Sequence, residues 1–309
     1  MEKMLMVAQI IAPIFTAVAL GLLAKKKAIL TPGEVRGLQQ FAVKFGLPCV
    51  VFNACLTAKI GSEALASMGL AVLPLLCSVL WAFHARKKAF PYSNLPMLFS
   101  SHETGMLGIP LTIALFGAAE SYRMGVLDLA QAVVAFPTIA ILSSATGENP
   151  RPAQILRGVL TSPLMIMSML GLGLNLSGAA AWLDQVGAGA ILTDSTGFLA
   201  QPVGALMLFS VGYNFSINRE NRRDIFRISG IFLGWFLLTG LISQGVLSLI
   251  PGVDAVTRWV LLLYFLLPGS YLTPGLGRSE QDSVLASGVC SLLTVVTLVV
   301  FCVISCFVA

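Results

Sequence analysis

The sequence predicts an all-α polytopic membrane protein of ten transmembrane helices, arranged as two inverted five-helix repeats. Three observations carry this. The apolar residues fall into separate runs near the roughly 20 residues that a bilayer-spanning helix needs. Lysine and arginine concentrate in alternate connections between the runs. Two runs, in equivalent places in the two halves, carry helix breakers and polar groups in mid-run.

Composition excludes a soluble chain. It is 57% hydrophobic and 11% charged, where soluble domains run at roughly 25% charged, and its mean hydropathy is +0.88. Basic residues outnumber acids 19 to 14, but they sit in short loops and form no stripe, so no nucleic-acid partner is implied. The six cysteines lie in apolar runs without CxxC or zinc spacing and read as small packing residues. His84 and His102 are the only histidines, and no HExxH, GxSxG, P-loop or dinucleotide fingerprint occurs, so no enzyme is expected.

The first run, 4–24, follows Lys3 and precedes Lys25-Lys26-Lys27. It exceeds the roughly 7–15 residues of a signal core and reads as a retained helix. The second, 35–57, starts amphipathic with Arg36, Gln39, Gln40 and Lys44. Lys44 can snorkel to the surface, attract an anion or pair with Glu103. The third spans 64–84, and the fourth, 92–117, is interrupted from Phe99 to Pro110. The fifth, 125–146, places Asp128 and Gln131 three apart on one face, either in a site or in an interfacial patch after Arg123. A hydrophilic turn, Gly147 to Pro152, then separates a first repeat, 1–150, from a second, 151–309.

The sixth run is 158–178, followed by the longest polar connection, 178–197. The seventh, 189–215, carries Pro202 where the second carries Pro48. The eighth is 226–249, the ninth, 256–277, is interrupted from Leu267 to Gly275, and the tenth is 283–307. One side of this arrangement collects Lys25 to Lys27, Arg36, Arg86 to Lys88, Arg151, Arg157, Arg219, Arg222, Arg223, Arg227 and Arg278. The other has Lys3, Lys59, Arg123 and Arg258. The first side is expected to be cytoplasmic, which leaves both termini extracytoplasmic. Five helices per half invert the second copy.

Broken backbone at membrane depth is tolerated only where it lines a cavity or is covered by protein. An ionisable residue there costs roughly 2.5–3.5 kcal/mol on insertion scales and reads as functional by default. Glu103 stands where the second half of the fourth helix begins, so it can cap that half, hold a proton or bind a cation. His102 can share the proton or be an ordinary hydrogen-bonded histidine. Ser270, Tyr271 and Thr273 bring hydroxyls to the second break, and Pro268 bends it. Gly105, Gly108 and Pro110 suit close packing as well as a site. Tyr213 and Asn214 are weaker candidates.

Several stretches together resemble the auxin efflux carrier family, within the superfamily of bile-acid, arsenite and riboflavin transporters. They are Ile14-Phe15 through Gly21 with Leu30-Thr31, Gln39 through Pro48, Thr104 through Leu111, Pro202 through Leu208 with Gly212 and Ser216, Leu267-Pro268, and Ala286 through Thr294. The resemblance implies a scaffold from helices 1, 2, 6 and 7, a homodimer, and a mobile domain from helices 3–5 and 8–10. Helices 4 and 9 would cross near mid-membrane. It implies an elevator-like secondary active transporter of a small organic anion, since relatives carry auxin or carboxylates such as malonate and malate. Glu103 stands where the family usually has asparagine, and Gln39 likewise.

The expected substrate-binding set is Glu103, Thr104, Gly105, Pro268, Gly269, Ser270, Tyr271, Thr273, Gln131 and Lys44. Ion coupling is expected at Glu103, His102 and Asp128, with H⁺ or Na⁺ at Glu103 and no other cofactor. The expected setting is a bacterial inner membrane. A sodium-coupled carrier of a steroid-like or neutral solute, and a sensor or channel without coupled transport, are the alternatives.

Overall fold

The computed structural model describes residues 2–58, 61–144, 157, 161–215 and 221–308. The expected turn from Gly147 to Pro152, and Lys59, Arg151, Ser216 and Arg219, lie outside the described residues. All regular structure among the described residues is helical.

In chain order the helices are α1 (Glu2–Lys26), α2 (Pro32–Thr57), α3 (Ser62–Lys88), α4 (Thr104–Phe116) and α5 (Ser121–Ser144). There follow α6 (Pro163–Leu176), α7 (Ala188–Asn214), α8 (Arg222–Ser248), α9 (Ala255–Leu266) and α10 (Glu280–Val308). Among the described residues six helices are long and apolar enough to cross a membrane, or seven if one bent pair is a single span. The chain is a polytopic helical membrane protein.

Local chemistry sets the ends. Thr31 and Glu34 form a capping box ahead of α2, with Pro32 at its first position. Asp254 caps α9 by accepting from the Thr257 amide at 2.7 Å. The 178–197 connection differs from expectation. It is not a loop but a helix, Ala179–Gln185, bent 77° from α6, and α7 already begins at Ala188. Left-handed glycines, Gly178 and Gly187, turn its two corners, so its polar residues belong to helices. The fourth run also differs. Only one turn, Leu95–Leu98, precedes its break, and no long helix follows the ninth-run break until α10.

Two groups of contacts organise the helices. α1 crosses α7 so closely that a Cβ on Gly21 would clash with the Phe209 carbonyl oxygen, and one on Gly212 with that of Val18. Small residues let membrane helices approach this way. α6 packs on α2, where the Asn175 amide donates to the Cys55 and Ala58 carbonyls at 2.9 and 2.8 Å. Both carbonyls lie at the α2 C-terminus, where regular helical donors run out. Separately, α3, α5, α8, α9 and α10 pack around the breaks. Gly212→Leu is expected to abolish the α1–α7 crossing, read as loss of the folded peak in size-exclusion chromatography. Gly234→Leu, with open space at its Cβ, is expected to leave that peak intact.

Polar clamps close both ends of the second group. At one end Arg123 on α5 pairs with Glu120 at 2.6 Å and with Asp254 at 2.7 Å, and donates to Thr257. At the other, the Asp282 carboxylate on α10 accepts from the Ser93 hydroxyl at 2.6 Å and from the Arg278 and Ser279 amides at 3.0 and 3.1 Å. Asn94 donates to the Thr273 and Asp282 carbonyls.

Asp254 lies outside the spans. Burial pushes its carboxyl up, but the Thr257 hydrogen bonds and Arg123 together outweigh that and hold it below its ordinary value. A depressed folded-state value stabilises the fold above the unfolded value of about 3.9 and loses that contribution as pH falls below it. Acidification through about pH 4 should therefore lower the melting temperature of the parent protein more than that of Asp254→Asn.

Candidate functional site

The two breaks meet. His102 pairs with Gly269 as an antiparallel bridge, and the Glu103 amide donates to the Pro268 carbonyl at 2.8 Å. A Cβ on Gly269 would lie 2.6 Å from the Leu98 carbonyl oxygen, so only glycine allows the strands to cross this closely. The backbone freed by the breaks is thus partly paired across the crossing, and side chains take up more of it.

Glu103 ties the crossing. One carboxylate oxygen accepts from the Met106 amide at 3.1 Å and caps α4, whose first turn is a π-turn, Thr104–Gly108. The other accepts from the Tyr271 amide at 2.7 Å, 168 residues away. The side chain is 8% exposed. Both oxygens are therefore held by backbone donors, one from each break.

α5 fastens the first break. The Gln131 side chain reads the His102 backbone at both ends, accepting from its amide at 2.8 Å and donating to its carbonyl at 3.0 Å. Gln131 also donates to Asp128 at 2.9 Å, and Thr104 donates its hydroxyl to the same Asp128 oxygen. The Tyr264 hydroxyl on α9 donates to Gln131 at 3.2 Å. α10 fastens the second break in the same manner. Thr297 donates to the Leu266 carbonyl at 2.5 Å, Cys290 to the Gly269 carbonyl at 3.4 Å, and Thr294 meets the Tyr271 hydroxyl at 2.6 Å.

Glu103, Thr104, Asp128, Gln131, Pro268, Gly269 and Tyr271 thus come together as expected. Asp128 belongs to this crossover and not to the Arg123 patch, which bonds Asp254 instead. Gly105 packs by Leu47 of α2. Ser270 is buried and accepts from the Leu272 amide, and Thr273 is buried with its hydroxyl unbonded.

Two alternatives left open by the sequence are narrowed. The His102 ring does not share a proton with Glu103. It bonds the Leu267 carbonyl through Nδ1 at 3.1 Å and lies edge-on among Phe232, Phe236 and Tyr264. Lys44 forms no ion pair with Glu103, and its other two readings stay open. It is exposed on a π-turn of α2, Ala42–Gly46. Tyr213 is a structural residue whose hydroxyl donates to the Leu30 carbonyl, and Asn214 is exposed at the end of α7. Sequence reasoning missed Tyr264, Cys290 and Thr297. The last is readable in hindsight, since Cys290, Thr294 and Thr297 recur at helical spacing on one face.

α4 also walls a cavity of about 1140 Å³ shared with α1, α2 and α7. Pro110, Ile113 and Ala114 form its α4 side.

A family model described as membrane transport protein matches residues 6–250. The chain belongs to the auxin efflux carrier family. It is therefore an integral membrane protein and a membrane transporter, in a family of transporters and not of enzymes. The matched stretch holds the first break and α5, and ends before the second break and α10. No curated protein matches this chain.

Proposed function

We propose that this auxin efflux carrier family member is a secondary active carrier of a small organic solute, driven by H⁺ or Na⁺. The solute would cross by an elevator-like displacement of α3–α5 and α8–α10 past a scaffold of α1, α2, α6 and α7. The observation that carries this reading is the crossover. Two interrupted runs are bonded backbone to backbone and tied by Glu103, and a second acid, Asp128, has no basic partner among the described residues. Each break is held by its own following helix, so the crossing is suited to move as one body.

The exchanged clamps support ten spans in two inverted five-helix repeats, 1–150 and 151–309. The start of α5 grips the start of α9, and the start of α10 grips the start of the fourth run. Gln131 on α5 holds the first break as Thr297 and Cys290 on α10 hold the second. Extracytoplasmic termini, a bacterial inner membrane and a homodimer through the scaffold belong to the same reading.

The family resemblance favours a small carboxylate as solute. One observation favours the second reading, an uncharged solute: the Met106 and Tyr271 amides that an anion would seek are already filled by Glu103. Uptake of labelled malonate, malate and uncharged alcohols into proteoliposomes tests the carrier reading. Accumulation above the bath concentration, abolished by collapsing the H⁺ or Na⁺ gradient, is expected. Uptake that only equilibrates would make the protein a channel.

A further inference from the structure

The cavity beside α4 carries information on the solute that the crossover does not. Its walls are the first half of α1, the end of α2, α4 past its first turn, and α7 from Thr193 to Leu208. At about 1140 Å³ it is slightly larger than the roughly 300–1,000 Å³ of typical small-molecule sites. Most of its lining is aliphatic. No lysine or arginine contributes, and its one charged group is the exposed carboxylate of Asp194.

The remaining polar groups are neutral. Gln9, Asn53 and Gln201 bring side-chain amides. Asn53 spends its oxygen on the Thr196 hydroxyl at 2.6 Å, which leaves its NH₂ as a donor. Thr57 and Thr193 donate to backbone carbonyls and keep only acceptor capacity. Such a set suits a hydroxyl or a carbonyl, each of which exchanges single hydrogen bonds with amides. It does not suit a carboxylate. An anion entering would lose water, meet no cation and face Asp194.

We propose that this cavity binds an uncharged amphipathic molecule, with a rigid apolar body and a hydroxyl or carbonyl group. As the transported solute it would occupy the space between α4 and the scaffold, an identification that rests on the carrier reading above. A molecule placed there touches α4, the helix that Glu103 caps and that Thr104 joins to Asp128. Filling the cavity is thereby linked to the crossover through one rigid helix.

A matched pair of probes tests the site: adamantane-1-methanol and adamantane-1-carboxylate at pH 7, with the full chain in lipid nanodiscs. A ligand that binds the folded state raises its melting temperature. The alcohol is expected to do so, and the carboxylate to bind at least tenfold more weakly. Gly204→Leu places a side chain in the cavity where a Cβ meets no atom within 4 Å, so it should fold and abolish the shift. Asn53→Leu should weaken the alcohol by roughly three- to tenfold, the worth of one hydrogen bond. Asp194→Asn should narrow the gap between the probes.

Equal or tighter binding of the carboxylate, no shift with the alcohol, or an alcohol shift that survives Gly204→Leu would each overturn the proposal. The measurement needs no gradient. Binding without concentrative uptake would therefore overturn the carrier reading and leave the site standing, and uptake without this binding would do the reverse.

Discussion

Replacing Glu103 by alanine should produce the largest loss of stability of any change at the crossover. Two charge-assisted hydrogen bonds go, to Met106 and Tyr271. The two amides stay buried with no acceptor in place of the carboxylate. Hydrogen bonds to a charged group contribute about 1.5–3 kcal/mol each. A destabilisation of about 3 kcal/mol or more follows, read from thermal or denaturant unfolding in nanodiscs. Glu103→Gln is expected to recover only part of it. A glutamine offers one oxygen to two donors and points its own NH₂ at the other. Glutamine is therefore no benign mimic of the acid here, although from sequence alone it looks isosteric. A melting temperature for Glu103→Ala equal to that of the parent would remove Glu103 as the tie between the breaks.

The parts of this arrangement that follow a period were legible in the sequence, and the parts that do not were hidden. Apolar runs marked the helices because bilayer thickness sets their length. The breaks announced themselves through proline, glycine and polar residues in mid-run. Asp128 and Gln131 were placed on one face by a spacing of three, and they do face the crossover together. The direction of the His102 ring was left open because it sits in irregular backbone, where neighbours in sequence need not point alike. The direction of Lys44 was left open because a π-turn interrupts the regular helical frame around it. The helix Ala179–Gln185 was hidden by its polar composition and its glycine corners. The bond from Glu103 to Tyr271 spans 168 residues and has no local signature at all.

Asp128→Asn should have the opposite profile to the Glu103 changes: little loss of fold and a large loss of coupling. One Asp128 oxygen accepts both the Thr104 hydroxyl and the Gln131 amide. Asparagine retains an oxygen that can accept both, so the melting temperature should change by the equivalent of about 1 kcal/mol. What it removes is the negative charge. The titratable groups around Asp128 are Glu103 from the first break and Tyr264 from α9, and no basic side chain pairs with it among the described residues. A proton or Na⁺ is then the available partner for that charge in an apolar span. On the carrier reading, binding of either would weaken the hold of Asp128 on the Thr104 hydroxyl, and Thr104 is the first residue of α4. On the same reading, neutralisation at Asp128 would therefore ease the movement of α4. Asp128→Asn keeps the bond to Thr104 in its weaker, neutral form whether or not an ion is present. Proteoliposome uptake should continue as exchange but stop responding to H⁺ or Na⁺ gradients. Thr104→Val separates the two halves of the argument, since it cuts the link and keeps the charge. It should leave ion binding in place while uncoupling it from movement. Gradient-driven uptake that persists unchanged in Asp128→Asn would make this acid a structural acceptor and place coupling elsewhere in the crossover.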